Sequence, residues 1–134
     1  MGRLTVNVDG GARGNPGPAA IGVVLRDAEG NVVEEVGEAI GEATNNVAEY
    51  RALLRGLELA AAHGARDVEL IGDSELVVRQ VEGRYKVKNA GMKELHQRVR
   101  RSLGDFDSWS IRHVRRESNG DADRLVNEAL DRTR

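Results

Sequence analysis

The 134-residue chain contains no cysteine. Disulfides and thiolate-bound metals are therefore excluded, and any metal must rest on oxygen or on one of the three histidines. It also lacks an apolar run near the roughly 20 residues that cross a bilayer. The N-terminus lacks the basic-then-apolar pattern of a signal peptide, so a cytoplasmic location is expected. Neither sign of charge is in excess: 20 Lys and Arg stand against 22 Asp and Glu, a net of −2. Whole-molecule attraction to a polyanion is thereby excluded, and a nucleic acid would need a local basic surface. Hydrophobic content of 40% and charged content of 31% are those of an ordinary water-soluble protein. The length predicts a single domain over residues 1–134 with its own core. Nothing in the sequence implies a protein partner or a membrane, and a monomer is expected.

Proline is almost absent too. Both prolines, Pro16 and Pro18, fall in or beside one glycine-dense stretch, Asp9-Gly10-Gly11-Ala12-Arg13-Gly14-Asn15-Pro16-Gly17. The alternating run Leu4–Val8 precedes it, so the pattern reads as a strand ending in a carboxylate, then a turn. A dinucleotide-binding glycine loop must open into a helix whose amides face the pyrophosphate. Here the prolines break the backbone, and Ala20–Leu25 reads as a second strand. The loop joins two strands, which excludes the phosphate-cradle reading. What remains is an aspartate on rigid backbone, beside glycines that let another chain approach closely.

Further along, Asp27–Gly30 forms a tight turn, and Val32, Val33, Val36 and Ile40 mark a third strand. Thr44, Asn45 and Asn46 supply capping side chains. Apolar residues at Tyr50, Leu53, Leu54, Leu57 and Ala61 then give a helical stripe that Gly64 ends. Asp67–Gly72 is a short strand. Helices follow over Ser74–Val81, stopped by Gly83, and over Met92–Leu103. Ser108–Val114 alternates as a fifth strand, and a last helix begins at Asp121 with Leu125, Ala129 and Leu130 inward. The order βββαβααβα implies an α/β fold: a five-stranded mixed sheet with an antiparallel limb and helices on both faces.

Acidic residues recur at element ends. Asp9 ends the first strand, Asp73 follows the fourth, Glu49 lies early in the first long helix, and Asp123 lies near the start of the last. Strands one and four, joined by a helical crossover, are expected as parallel neighbours, which sets Asp9 beside Asp73 where ligands of such sheets gather. Glu49, four residues before Leu53, leans towards the buried stripe. Each acid has a plain alternative as a helix cap or a first-turn acid. A cluster needs another reason, since two like charges 4 Å apart repel by about 4 kcal/mol at an effective dielectric near 20. Hard oxygen ligands suit Mg²⁺ or Mn²⁺, and such centres clamp phosphate oxygens.

The segments Asp9–Gly17, Thr44-Asn-Asn-Val-Ala-Glu49-Tyr, Asp73-Ser74 and Asn119-Gly-Asp-Ala-Asp123-Arg-Leu, in that order and across the whole chain, resemble the signature segments of type 1 ribonuclease H. The resemblance implies a ribonuclease H-like fold. It also implies cleavage of the RNA strand of RNA/DNA hybrids, leaving 5′-phosphate and 3′-hydroxyl ends, with Mg²⁺ (or Mn²⁺) as cofactor and two ions when substrate is bound. It implies that Asp9, Glu49, Asp73 and Asp123 are the catalytic, metal-binding acids. Gly14, Asn15 and Asn46 match positions that touch the RNA strand, with Asn45 and Ser74 beside them, and Thr44 and Asn89 match a pocket for a DNA phosphate.

Two departures bear on function. Many family members carry a mobile histidine before the last helix. Val114–Asn119 has none, and His113 belongs to the strand, so Arg116 or Glu117 stands where product release would be served. In place of a long basic protrusion there is only Gly83–Asn89, where Arg84, Lys86 and Lys88 offer charge and Tyr85 a stacking face. This is the pattern of a short-form member. His63 and His96 read as surface residues. The competing functions are a binding module that recognises hybrids without cutting, which a missing carboxylate would favour, and a resolvase or integrase core on the same fold. All four acids are present against the first, and the Gly-Asn-Pro-Gly and Thr-Asn-Asn segments stand against the second.

Overall fold

The computed structural model describes residues 2–133. Three antiparallel strands open the chain: β1 (Arg3–Ala12), β2 (Gly17–Arg26) and β3 (Val32–Ala43). Helix α1 (Asn45–Ala62) crosses over to β4 (Asp67–Gly72). Helices α2 (Glu75–Val81) and α3 (Ala90–Leu103) lead to β5 (Ser108–His113), and a 3-10 turn at Arg116–Asn119 leads into α4 (Gly120–Arg132). The sheet order is β3-β2-β1-β4-β5. Strands β1 and β4 pair in parallel, as do β4 and β5, and the other two pairs are antiparallel. The expected mixed sheet with parallel neighbours one and four is therefore present, and so are its four helices.

The alternation of β1 explains the layers. Leu4, Val6 and Val8 are fully buried in the main core, which also takes in Tyr50, Leu53 and Leu57 of α1 and Leu103 of α3. Alternate residues face the other side of the sheet. There α4 buries Val126, Ala129 and Leu130 against Ala20. Glycine permits both helices to seat closely. A Cβ on Gly56 would meet Val6 Cγ1 at 2.7 Å, and one on Gly37 would meet the Leu125 carbonyl at 2.8 Å. Helix α1 sits one residue off the expected stripe near its end: Ala60 is buried and Ala61 faces solvent.

The helix boundaries carry the expected punctuation. The Thr44 hydroxyl caps α1 by accepting from the Val47 amide at 3.2 Å, and Gly64 follows that helix at φ 77°. Ser74 Oγ accepts from the Val77 amide at 3.3 Å and caps α2. Asn89 Oδ1 accepts from the Met92 amide at 3.1 Å and caps α3. Ser74 thus takes the capping role for which Asp73 was an alternative, and the Asp73 carboxylate remains available. No described helix is long and apolar enough to cross a membrane.

Candidate active site

Asp9 is not at a strand tip. Strand β1 continues through Gly10 and Gly11 to Ala12, paired with β2 as far as Ala12 and Ala19. The reason is that β1 has two neighbours of unequal length. Its parallel pairing with β4 ends at Asn7 and Ile71, so Asp9 projects past β4 while its backbone is still held by β2. The carboxyl edge of the parallel limb is thus where Asp9 stands, on a more rigid support than a turn would give.

Two further glycines bring Glu49 to it. A Cβ on Gly10 would drive into the Ala48 carbonyl, so the first turn of α1 rests directly on β1 backbone. The Gly10 amide donates to Glu49 Oε1 at 3.0 Å. At the end of β4, a Cβ on Gly72 would come within 2.7 Å of Glu49 Oε2. The absence of that methyl lets the glutamate lie over the strand end. As a result Asp9, Glu49 and Asp73 each place a carboxylate oxygen within 4.8 Å of the other two. Asp9 and Glu49 are buried, and Asp73 is half-buried. Asp123, in the first turn of α4, is close enough for its charge to raise the Asp9 carboxyl but is not among the three acids whose oxygens gather within 4.8 Å. The close seating of α4 on Gly22 and Gly37 holds that helix turn in place.

The electrostatics follow from the crowding. Burial, then the charges of Asp73 and Asp123, push the Asp9 carboxyl up to about 8, against a smaller opposing effect of Arg116. Burial is also the largest cause for Glu49, followed by Asp9 and Asp73, and holds its carboxyl well above the usual range. Glu49 Oε2 is buried with no partner at hydrogen-bond geometry, and the backbone amides of Gly10 and Ser74 only partly offset the rise of its carboxyl. A buried, unpartnered carboxylate oxygen between two other carboxylates is unstable alone and is satisfied by a cation. The donor set, all oxygen, suits a hard divalent ion.

The sign of the pH dependence follows. Between about pH 4 and pH 8 the folded, metal-free protein holds protons on these carboxyls that the unfolded chain has released, so its stability falls as pH rises through that window. We expect the melting temperature with chelator present to drop from about pH 5 to pH 8, and Mg²⁺ to recover more of it at the upper end. Thermal scans across pH, with chelator and with Mg²⁺, check this. A metal-free melting temperature that rises over the same window contradicts the crowded cluster.

Asn119 is a residue at the site whose role its sequence context does not reveal. It is 2% exposed, and its Nδ2 donates to the Val8 carbonyl at 2.8 Å and to Asp73 Oδ2 at 3.2 Å. The signal was its place in the Asn-Gly-Asp-Ala-Asp run, but nothing local says that a side chain in a surface-like turn would be buried. On the other flank, Asn15 Oδ1 accepts from the Asn45 amide at 3.0 Å, and Asn45 Oδ1 accepts from the Ala12 amide at 2.8 Å. The glycine turn is thereby tied to the start of α1, with Gly14 at φ 92°. Asn46 lies half-buried in the same first turn of α1. Thr44 and Asn89 spend their side-chain oxygens on capping.

Arg84, Tyr85, Lys86 and Lys88 are exposed on the loop after α2. Gln80, 4% exposed, anchors that loop: it accepts from the Tyr50 hydroxyl at 2.6 Å and donates to the Lys86 carbonyl at 3.3 Å. Arg116 and Glu117 are exposed in the 3-10 turn, and of the two it is Arg116 whose charge is felt at Asp9. His113 ends β5, as expected. His63 and His96 are not simple surface residues. His63 Nε2 lies 2.7 Å from Glu34, and His96 packs edge-on against Tyr50 with Nε2 2.9 Å from the Gln80 carbonyl. Both stand where a helix packs on a neighbouring element, which helical periodicity does not reveal.

A mixed sheet with carboxylates gathered past the end of its parallel limb gives an α/β protein a cluster of oxygen donors able to hold a divalent ion. The family described as "Reverse transcriptase-like" matches residues 7–129. The ribonuclease HI of Halobacterium salinarum is 50% identical over 130 residues, covering 97% of this chain. The chain spans 65% of that curated relative's length. The crystal structure of RNase H1 from Halobacterium salinarum superposes with a TM-score of 0.95 at 49% identity, covering 97% of this chain and 98% of that one. LC11-RNase H1, solved in complex with an RNA/DNA hybrid, gives 0.93 at 46% identity, covering 97% and 98%. The chain belongs to the type 1 ribonuclease H family, and its ribonuclease H-like fold is as expected.

Proposed function

We propose that this chain is an endonuclease that hydrolyses the RNA strand of RNA/DNA hybrids. The observation that carries the reading is Glu49 Oε2, buried and unpartnered among three carboxylates drawn from β1, α1 and the end of β4. Such an arrangement is adverse to a fold and useful to a centre that holds cations against phosphate. Family membership and the hybrid-bound relative at 46% identity support the substrate.

Asp9, Glu49, Asp73 and Asp123 hold the metal in this reading, Mg²⁺ with Mn²⁺ as substitute and two ions with substrate bound. Ions held there would supply the Lewis acidity that activates water and stabilises a departing oxygen at phosphorus. The bond between phosphorus and the 3′ oxygen breaks, leaving 5′-phosphate and 3′-hydroxyl ends. The chain's own residues orient and discriminate. Asn46, the amide nitrogens of Asn15 and Asn45 and the backbone at Gly14 meet a ribose hydroxyl that both donates and accepts, while the Asn15 and Asn45 oxygens hold the turn against α1. Thr44 and Asn89 meet a phosphate of the DNA strand, and Ser74 lies beside Asp73. Arg84, Lys86 and Lys88 hold a backbone, and Tyr85 offers a face to a sugar or base. Arg116, felt at Asp9, serves product release, with Glu117 next to it. Residues 1–134 act as one catalytic domain, a monomer in the cytoplasm.

The test uses an end-labelled RNA/DNA hybrid, an RNA duplex and a DNA duplex, each with Mg²⁺ and with chelator. Cleavage of the hybrid's RNA strand with Mg²⁺ alone is the expected result, with the DNA duplex intact. Hybrid binding without cleavage in Mg²⁺ or Mn²⁺ would make the chain a recognition module instead.

A further inference from the structure

Behind Asp73, a chain of side-chain hydrogen bonds runs to the protein surface, and its polarity is fixed at both ends. Asn119 presents Nδ2 to two acceptors, the Val8 carbonyl and Asp73 Oδ2. Its amide cannot face the other way, because Oδ1 would then oppose both. Oδ1 therefore points back and accepts from Asn7 Nδ2 at 3.1 Å. Asn7 in turn shows Oδ1 to Arg26 Nη1 at 3.2 Å. A guanidinium only donates, so it demands this same orientation of Asn7. Arg26 is itself held by Asp121, at 2.5 Å through Nη2. A carboxylate at one end and a cation at the other thus agree on how both amides between them must lie.

The placement is built into the strand. Asn7 and Asp9 lie two apart on β1 and so share the face that α4 covers. Asn7, Arg26, Asn119 and Asp121 line one cleft. The three clustered carboxylates do not line it, and the hydrogen bonds that lead from Asn7 towards Asp73 pass through Asn119. We propose that Asn7, oriented by Arg26, is a positioning residue of the metal centre: it fixes the Asn119 amide and thereby the direction in which Asp73 presents its oxygens to a divalent cation. Partners one step behind the ligands set ligand orientation in metal sites generally. The inference rests on the reading of the carboxylates as a divalent-metal centre for hybrid cleavage.

Asn7→Asp is the sharpest probe. It keeps the shape and gives Arg26 a charged partner, which offsets part of the bond lost to Asn119. It sets an acceptor against Asn119 Oδ1, so Asn119 must either turn its own oxygen towards Asp73 or give up the contact. A structural role alone would move stability and activity together. Positioning separates them. The expected result is a Mn²⁺ affinity of the free protein weaker by about 10–100-fold, a kcat on the hybrid reduced with KM for the hybrid nearly unchanged, and a melting temperature lowered by no more than about 5 °C. Arg26→Lys retains a donor-only cation and should bind Mn²⁺ close to the parent, whereas Arg26→Met should not.

Mn²⁺ affinity and kcat of Asn7→Asp within about twofold of the parent would overturn the proposal. Should Asn7→Asp unfold, equal Mn²⁺ affinities for Arg26→Lys and Arg26→Met overturn it as well. A parent that neither binds Mn²⁺ nor cuts the hybrid brings down the functional reading and this one with it. A parent that does both, beside an indifferent Asn7→Asp, brings down this one alone.

Discussion

Asp9→Asn is expected to abolish hydrolysis of the hybrid while making the metal-free protein more stable. The two effects share one cause. Asp9 is buried beside Asp73 and Asp123, and its carboxyl is pushed up to about 8 by burial first and by those charges next. The folded chain therefore either confines like charges or takes up a proton, and each costs free energy relative to the unfolded state. Asparagine keeps the volume and removes the cost. A gain of about 1–3 kcal/mol in the absence of metal is expected, and each kcal/mol moves the melting temperature of a domain of this size by roughly 4 °C. Loss of a metal ligand at a phosphoryl centre removes several kcal/mol from the transition state, on the order of 10³-fold or more in rate. Melting curves with chelator and cleavage rates with Mg²⁺, on one preparation, decide the matter. A variant that cuts at more than a few per cent of the parent rate removes Asp9 from the centre. One that melts lower without metal removes the crowding argument.

The parts of this molecule that were legible in the sequence are those set by local rules. Alternation marked the strands, and helical periodicity with Ser74, Thr44 and Gly64 as punctuation marked the helices. The parallel pairing of β1 with β4 follows from a crossover through α1, and that pairing alone sets Asp9 beside Asp73. What stayed hidden depends on close approach between distant segments. Gly10 and Gly11 looked like a turn because glycine is poor in strands, yet β2 pairs along them and α1 rests on Gly10. Asn119 lies in a short polar stretch before the last helix, yet it is sealed between β1 and Asp73. His96 sat on a polar helix face and still packs on Tyr50, because α3 lies against α1 there. In each case the missing information was which backbone would come within contact distance of which residue, something that neither propensity nor period encodes.

Gly72→Ala tests whether that hidden layer of fit carries function. Gly72 ends β4 with ordinary backbone angles, since it is not among the glycines at positive φ. Alanine is thus conformationally acceptable, and the loss of chain freedom in the unfolded state favours the variant by about 0.4–1 kcal/mol. The added methyl would stand 2.7 Å from Glu49 Oε2 and 3.6 Å from Val8 Cγ2. The second contact is ordinary, but the first is too close, so Glu49 must move. Only the end of one side chain gives way, and the fold loses little. The contrast is Gly10→Ala, whose methyl would strike the Ala48 carbonyl of the α1 backbone and separate helix from sheet. Gly72→Ala is therefore expected to melt within a few degrees of the parent while its Mn²⁺ affinity and its rate on the hybrid fall by at least about 10–100-fold, the range seen when a metal ligand loses its fixed orientation. Isothermal titration with Mn²⁺, a melting curve and a cleavage assay on the same protein measure all three. Full activity with unchanged Mn²⁺ affinity would show that Glu49 reaches the centre by a route the methyl does not obstruct, and the account of why β4 ends in glycine would be wrong.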